Sequence, residues 1–209
     1  MRQTVDWYFD FISPFAYFQH RTLVADHPDI EIRYHPVLLG ALFVRNEHKG
    51  PAEIPSKRIM TYRFCAWYAA RHGIPLRFPD VHPYRPVNVL RLALAAGVNA
   101  DTVSRIFEYI WVEGKSPDRP ERLEELSARL GVADCMSAIG NQDIKDRLRQ
   151  NTERAIELGA FGVPTAVVDG KLFWGHDQTP MLIEYLDNRG LFESGEYKRL
   201  ESIRDGLTG

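Results

Sequence analysis

The chain has 209 residues, 44% of them hydrophobic and 26% charged, with 26 basic against 28 acidic side chains and a net charge of −2. That is enough for one sizeable core or for one domain with a second inserted into it, and the balanced charge supplies no global field for nucleic acid or a membrane surface. Two cysteines, Cys65 and Cys135, make no disulfide framework, and neither a signal peptide nor a bilayer-spanning run is visible, so the expected compartment is the cytoplasm.

Val5 to Ile12 is rich in aromatic and β-branched residues and reads as a buried strand. Ser13 suits a helix N-cap and Pro14 the first helical position, with Phe15, Phe18 and Leu23 apolar in a helix reaching His27-Pro28. Ile30 to Tyr34 alternates as a second strand, closed by Pro36. From Val37 to Gly159 the period becomes helical. Ile59, Phe64, Trp67 and Tyr68 fall near one face of a helix that ends at Gly73. Val87 to Ala96 forms a second, stopped by Gly97. Asp101 is placed to cap a third, which carries Val103, Ile106, Phe107, Ile110 and Trp111 before Gly114. Pro120 opens a fourth with Leu123, Leu126 and Leu130, and Asp143 to Leu158 forms a fifth, ended by Gly159. Beyond Gly162, Thr165 to Trp174 reads as a hairpin with Asp169-Gly170 at its turn, and Thr179 to Asn188 as a following helix. The order β-α-β, helical block, β-β-α describes an α/β domain, residues 1–36 and 160–209, interrupted by an all-helical insertion at 37–159.

Ser13 places a hydroxyl where a strand hands over to a helix N-terminus, and the unpaired backbone N–H groups there favour an anion. Its plain reading is an N-cap worth about 1 kcal/mol, and a functional reading is compatible with it. A free thiol with a pKa near ~8.5 is only a few per cent thiolate at neutral pH, and lowering it by about two units takes roughly 2.7 kcal/mol. A charge-assisted hydrogen bond contributes about 1.5–3 kcal/mol and a helix terminus about 0.3–1, so a hydroxyl at this place is of the right size to stabilise a thiolate. Thioredoxin-like proteins carry Cys-x-x-Cys here, where this chain reads Ser13-Pro-Phe-Ala16, so any reacting sulfur must arrive on a ligand.

Phe161-Gly-Val163-Pro164-Thr165 stands where thioredoxin-like folds carry a cis-proline loop, and such a loop can pair, strand-like, with a peptide through the backbone of Val163. In Trp174-Gly175-His176-Asp177 the carboxylate suits a ligand ammonium, while its plain reading is a cap for the next helix. The seven histidines show no metal-ligand spacing, and Ser13, His176 and Asp177 lack the arrangement of a hydrolytic triad. Cys65 is expected in the core and Cys135 as a passive thiol. The aromatic helix from Tyr62 to Tyr68 is expected chiefly in the core, with one edge available to an apolar pocket.

Phe9-Asp-Phe-Ile-Ser-Pro-Phe-Ala-Tyr17, the Phe161–Thr165 loop and Phe173-Trp-Gly-His-Asp177 together resemble the 2-hydroxychromene-2-carboxylate isomerase family. Those enzymes are similar to kappa-class glutathione transferases and have a DsbA-like thioredoxin fold with a helical insertion. The resemblance spans nearly the whole chain, including Arg33 to Ala41 and the Gly73-Ile-Pro75 helix exit. It implies glutathione as cofactor. Ser13 would face its sulfur, Val163 and Pro164 its cysteinyl unit, and Trp174, Gly175, His176 and Asp177 its γ-glutamyl end. Arg45, Asn46, His48 and Lys49 are candidate partners for its glycyl carboxylate. Arg85 and Asn88 are candidates on the substrate side, although many relatives carry asparagine where this chain has Arg85. The implied activity is cis/trans isomerisation of an aromatic 2-oxo acid or its hemiketal by reversible thiolate addition, in aromatic-compound catabolism, by a homodimer. A kappa-like transferase or peroxidase using the same site, and a non-catalytic peptide-binding module, are the alternatives.

Overall fold

The computed structural model describes residues 3–200, 202–204 and 206. The chain opens with β1 (Thr4–Phe9), α1 (Pro14–Asp26) and β2 (Glu31–Pro36). Seven helices follow: α2 (Leu39–Arg45), α3 (Pro55–Arg71), α4 (Val87–Ala95), α5 (Ala100–Trp111), α6 (Pro120–Arg129), α7 (Cys135–Gly140) and α8 (Gln142–Glu157). The chain then returns through β3 (Thr165–Val168), β4 (Lys171–Trp174), α9 (Thr179–Asp187) and α10 (Gly195–Leu200). The four strands form one sheet in the order β2-β1-β3-β4. β2 is parallel to β1, with Trp7 opposite Tyr34, whereas β3 is antiparallel to β1 and β4 to β3. This is the β-α-β, β-β-α order expected, with helices filling the interval.

The end of β1, Trp7-Tyr8-Phe9, is apolar on consecutive residues because both faces of the sheet are covered there. Val5, Trp7 and Phe9 enter a cluster with Phe18 of α1, Leu90 of α4, Phe107 and Trp111 of α5 and Leu182 of α9. Tyr8, pointing to the other face, packs with Leu42, Ala155, Val163 and Val167. Fully burying a side chain such as Phe9 or Phe18 contributes roughly 1.5–3 kcal/mol. The β3–β4 turn has positive φ at both Asp169 and Gly170, as a two-residue type I′ hairpin requires.

Several expectations are corrected. β1 stops at Phe9, not Ile12, because the Asp10 carboxylate accepts from the Ile12 N–H at 3.1 Å and bends the chain into a turn. The α5 cap is Asn99, whose side chain accepts from the Thr102 N–H at 2.9 Å, so Asp101 lies inside the first turn. The closing α9 is preceded by a 3-10 turn, His176–Gln178, with Gln178 at the N-cap position rather than Asp177. The aromatics of α3 are not its core face: Ile59, Phe64 and Trp67 are 48%, 45% and 60% exposed, while Cys65 and Ala69 are buried. The helix packs along its small residues, which permit close approach, and turns its largest rings outward. Cys65 is core, as expected, and Cys135 is buried. Helices α2, α7 and α10 have no counterpart among the expected elements. No helix among the described residues is long and apolar enough to cross a membrane.

Candidate active site

The turn between β1 and α1 is fixed atom by atom. Ser13 N–H donates to the Asp10 carbonyl at 3.1 Å. The Phe11 carbonyl accepts from the Trp111 indole at 2.9 Å, and the Ile12 carbonyl accepts from His82 Nε2 at 2.8 Å. Donation to a carbonyl puts a proton on His82 Nε2, and burial lowers the ring's pKa and so favours its neutral form; Tyr62 Oη lies 2.6 Å from Nδ1 and 2.8 Å from the His82 carbonyl, to which it donates. The 39–157 interval thus supplies two of the donors that hold the turn, Trp111 from α5 and His82 from the segment before α4. Beneath it, the fully buried Asp10 carboxylate bridges the Ile12 N–H and the Leu39 N–H at 3.0 Å, tying the turn to the start of α2. Burial pushes the Asp10 carboxyl up to about 7, and the backbone donors of Leu39, Ile12 and Phe11 only partly offset that.

Ser13 is the N-cap of α1 as expected: its Oγ accepts from the Ala16 N–H at 3.3 Å. The same hydroxyl is 3.5 Å from the Val163 carbonyl, to which it donates. Pro14 has no N–H, and the Tyr17 N–H is spent on the Ser13 carbonyl. The Phe15 N–H is therefore left as the helix-terminal donor without a partner among the described residues. An anion resting near Ser13 would meet a hydroxyl and this N–H, both at the positive end of α1.

Across from Ser13, the Val163–Pro164 peptide is cis, and the Val163 N–H has no partner among the described residues. The Pro164 carbonyl accepts from the Gly175 N–H at 2.8 Å, which joins the proline loop to the Trp174–Asp177 stretch. Gly175 has φ +90, and a Cβ there would also strike the Asp177 carboxylate, so this corner requires glycine. Buried Gln19 secures the corner: it accepts from the Trp7 indole at 2.7 Å and donates to the Gly175 carbonyl and to Thr179 Oγ1, each at 3.0 Å. His176 packs against Phe18 and Tyr68 and makes no hydrogen bond to Ser13, so no Ser-His-Asp triad exists. The Asp177 carboxylate is exposed and has no hydrogen-bond partner among the described residues.

These walls enclose a cleft of about 600 Å³. Ser13, Val163 and Trp174 line it, whereas Gly175, His176 and Asp177 continue beyond its Trp174 edge. Arg45 and Asn46 do not line it, and the Asn46 amide is spent on the Leu42 carbonyl at 2.8 Å. His48 and Lys49 reach the cleft instead. Arg85 and Asn88 are exposed and outside the lining, while their neighbours Tyr84 and Pro86 belong to it. Much of the remaining wall is apolar, including Phe15, Leu38, Phe43 and Phe161, a surface suited to an aromatic ring. Thr61 and Tyr62 are the edge of α3 that reaches the cleft. Among the described residues, no three His, Cys, Asp or Glu side chains converge to hold a metal ion.

Sequence reasoning missed Asp10, Gln19, His82 and Trp111 as site-builders. For Asp10 a signal exists: it is the one carboxylate inside the apolar run from Trp7 to Ile12. Gln19, between Phe18 and His20 on the buried face of α1, carries a similar one.

Residues 4–187 match the family model of the DSBA-like thioredoxin domain. The 2-hydroxychromene-2-carboxylate isomerase of Pseudomonas putida is 31% identical over 186 residues, covering 85% of this chain and 91% of the relative. Glutathione S-transferase kappa 2 of Caenorhabditis elegans is 26% identical over 211 residues, covering 88% and 92%. A solved structure of a 2-hydroxychromene-2-carboxylate isomerase superposes with a TM-score of 0.79 at 26% identity, covering 92% of this chain and 100% of that one. With its DSBA-like thioredoxin fold, the chain belongs to the 2-hydroxychromene-2-carboxylate isomerase family, and kappa-class glutathione transferases are its next relatives.

Proposed function

We infer that the protein is a glutathione-dependent cis/trans isomerase acting on an aromatic 2-oxo acid or its hemiketal. The observation that carries this reading is the Ser13 hydroxyl at the N-terminus of α1, 3.5 Å from the Val163 carbonyl across a cleft with largely apolar walls. Glutathione brings the thiol that this chain lacks at the site. Its cysteinyl unit pairs with the free Val163 N–H and with the Val163 carbonyl beside cis-Pro164, replacing the long Ser13 contact. Its sulfur then rests at Ser13 and the Phe15 N–H. The γ-glutamyl end extends past Trp174 and Gly175 to His176 and Asp177, whose exposed carboxylate suits the α-ammonium. His48 and Lys49 are the better-placed partners for the glycyl carboxylate, with Arg45 and Asn46 further out. Arg85 and Asn88 stand outside the lining and would meet only a substrate that projects from the cleft.

The thiolate adds to the conjugated substrate, a double bond becomes single and rotates, and elimination returns the thiolate, so glutathione is not consumed. Relatives named as isomerases and as kappa-class glutathione transferases support a glutathione reaction of this type. In this proposal residues 1–36 and 160–209 form the thioredoxin-like domain, 37–159 the helical insertion, and the protein is a cytoplasmic homodimer in aromatic-compound catabolism. The test is a thermal-shift titration followed by turnover. Glutathione at 100 times its Kd adds about 2.7 kcal/mol of stability, and an isomerase leaves glutathione unchanged after many turnovers. Conjugate or oxidised glutathione as product would make it a transferase or peroxidase, and no shift at millimolar glutathione would favour a peptide-binding module.

A further inference from the structure

Buried tyrosine hydroxyls in this chain mostly find an acceptor. Tyr17 Oη donates to the Pro75 carbonyl at 2.6 Å, and Tyr109 Oη to the Arg122 carbonyl at 3.1 Å. Tyr84 Oη does not. Tyr84 is 6% exposed, its hydroxyl has no partner among the described residues, and it lines the cleft together with Asp10, Ser13 and Val163. Tyr34 Oη is also unpartnered, but Tyr34 lies outside the cleft. A buried donor left without an acceptor is uncommon in a folded protein and calls for a reason. Tyr84 is flanked in the lining by Pro83 and Pro86, which have no N–H, and its hydroxyl, shielded from solvent, is the unspent donor behind this part of the wall, which a ligand reaches when the ring shifts toward the cleft. Two residues earlier, His82 holds the Ile12 carbonyl at 2.8 Å, which fixes this segment to the turn that places Ser13.

We propose that Tyr84 Oη donates to the ketone oxygen of a conjugated aromatic 2-oxo acid and holds the enolate formed when a thiolate adds to it. The proposal deepens the isomerase reading and rests on it for the thiolate step. Addition forms one C–S bond at the arylidene carbon and moves the alkene π pair toward the ketone oxygen, which becomes the enolate oxygen. The former double bond is now single and rotates. Return of the pair re-forms the alkene and breaks the C–S bond, so nothing is oxidised or reduced and no proton is consumed. Tyr84 keeps its proton throughout, and its hydrogen bond strengthens as charge gathers on the oxygen. Burial, reinforced by the charges of Asp10 and Asp118, holds its phenol well above the ordinary range, so it is a donor at every working pH.

The experiment compares wild type with Tyr84→Phe, which keeps the ring and removes the hydroxyl, using 4-phenyl-2-oxobut-3-enoate as probe. In the first arm the probe's absorbance is followed on binding without glutathione, because a hydrogen bond to the ketone shifts the band to longer wavelength. In the second, kcat and the glutathione Kd are measured. The shift is expected in wild type and absent in Tyr84→Phe, kcat is expected to fall about 100-fold, and the glutathione Kd to stay within about twofold. Equal band shifts and equal kcat in the two proteins would overturn the proposal, as would a wild type that shifts no band. A band shift lost in Tyr84→Phe, in an enzyme without glutathione-dependent turnover, would sink the thiolate reading and leave the ketone site standing.

Discussion

Replacing Asp10 by Asn should change how stability depends on pH, beyond any constant loss. The native carboxyl half-ionises at about 7 instead of the ordinary 3.8, because ionising it in the buried turn is costly. Between those values the folded state holds a proton that the unfolded chain has released, so Asp10 favours folding at low pH, and this contribution drains away as pH rises to about 7. The amount is on the order of 4 kcal/mol. His20 works in the opposite sense: burial, then the charge of Arg21, lowers its pKa from 6.5 to about 4, so the unfolded chain binds the proton first and stability falls as the solution is acidified through that range. In wild type the two slopes oppose each other. In Asp10→Asn the histidine slope stands uncompensated. A carboxamide oxygen can serve only one of the two places where Asp10 accepts, from Ile12 and from Leu39, which adds a pH-independent loss of about 1–3 kcal/mol. The assay is urea unfolding from about pH 4 to about pH 7.5 on both proteins. The wild-type advantage should shrink by several kcal/mol from the acid to the neutral end. Parallel curves would refute the assignment of a protonated buried carboxyl.

Ser13→Ala removes a cap and a thiolate donor together, so it should cost about 1 kcal/mol of stability and slow turnover far more at neutral than at alkaline pH, where solution supplies the thiolate. An equal loss at both pH values would count against thiolate stabilisation. Gly162→Ala would bring a Cβ to 2.5 Å from Trp174 Nε1 and displace the indole that lines the cleft. Glutathione affinity should drop, and loss of the tilted ring contact between Phe161 and Trp174, 4.8 Å between centroids, should change the tryptophan fluorescence. Unchanged affinity would mean that Trp174 does not border the ligand.

The period-2 and period-3.6 patterns carried the order of elements because they report which face of each segment is buried, and here both were pronounced. Ser13, Pro14 and the Asp169-Gly170 turn were legible for a more local reason: each is dictated by the backbone conformation of one or two residues. The α3 face was misread because aromatic content signals burial only on average; Cys65 and Ala69 settle the contact by their small size. The Tyr62–His82–Ile12 chain and the Gln19 junction were invisible, since they join residues 12 to 160 positions apart and are carried by geometry that no spacing encodes. Arg45 and Asn46 show what composition leaves open. Their charge and polarity fit a carboxylate, but whether a loop residue faces a cleft depends on the helix it ends, and α2 runs on to Arg45.

The central claim is an imported thiol ionised by the protein, and the most direct measurement is the ultraviolet titration of glutathione bound to wild type and to Ser13→Ala. In wild type the bound thiol should half-ionise about one to two units below its free value of ~8.5, and Ser13→Ala should return most of that difference. A bound thiol that titrates like the free one in wild type, or that is unmoved by Ser13→Ala, would contradict the account.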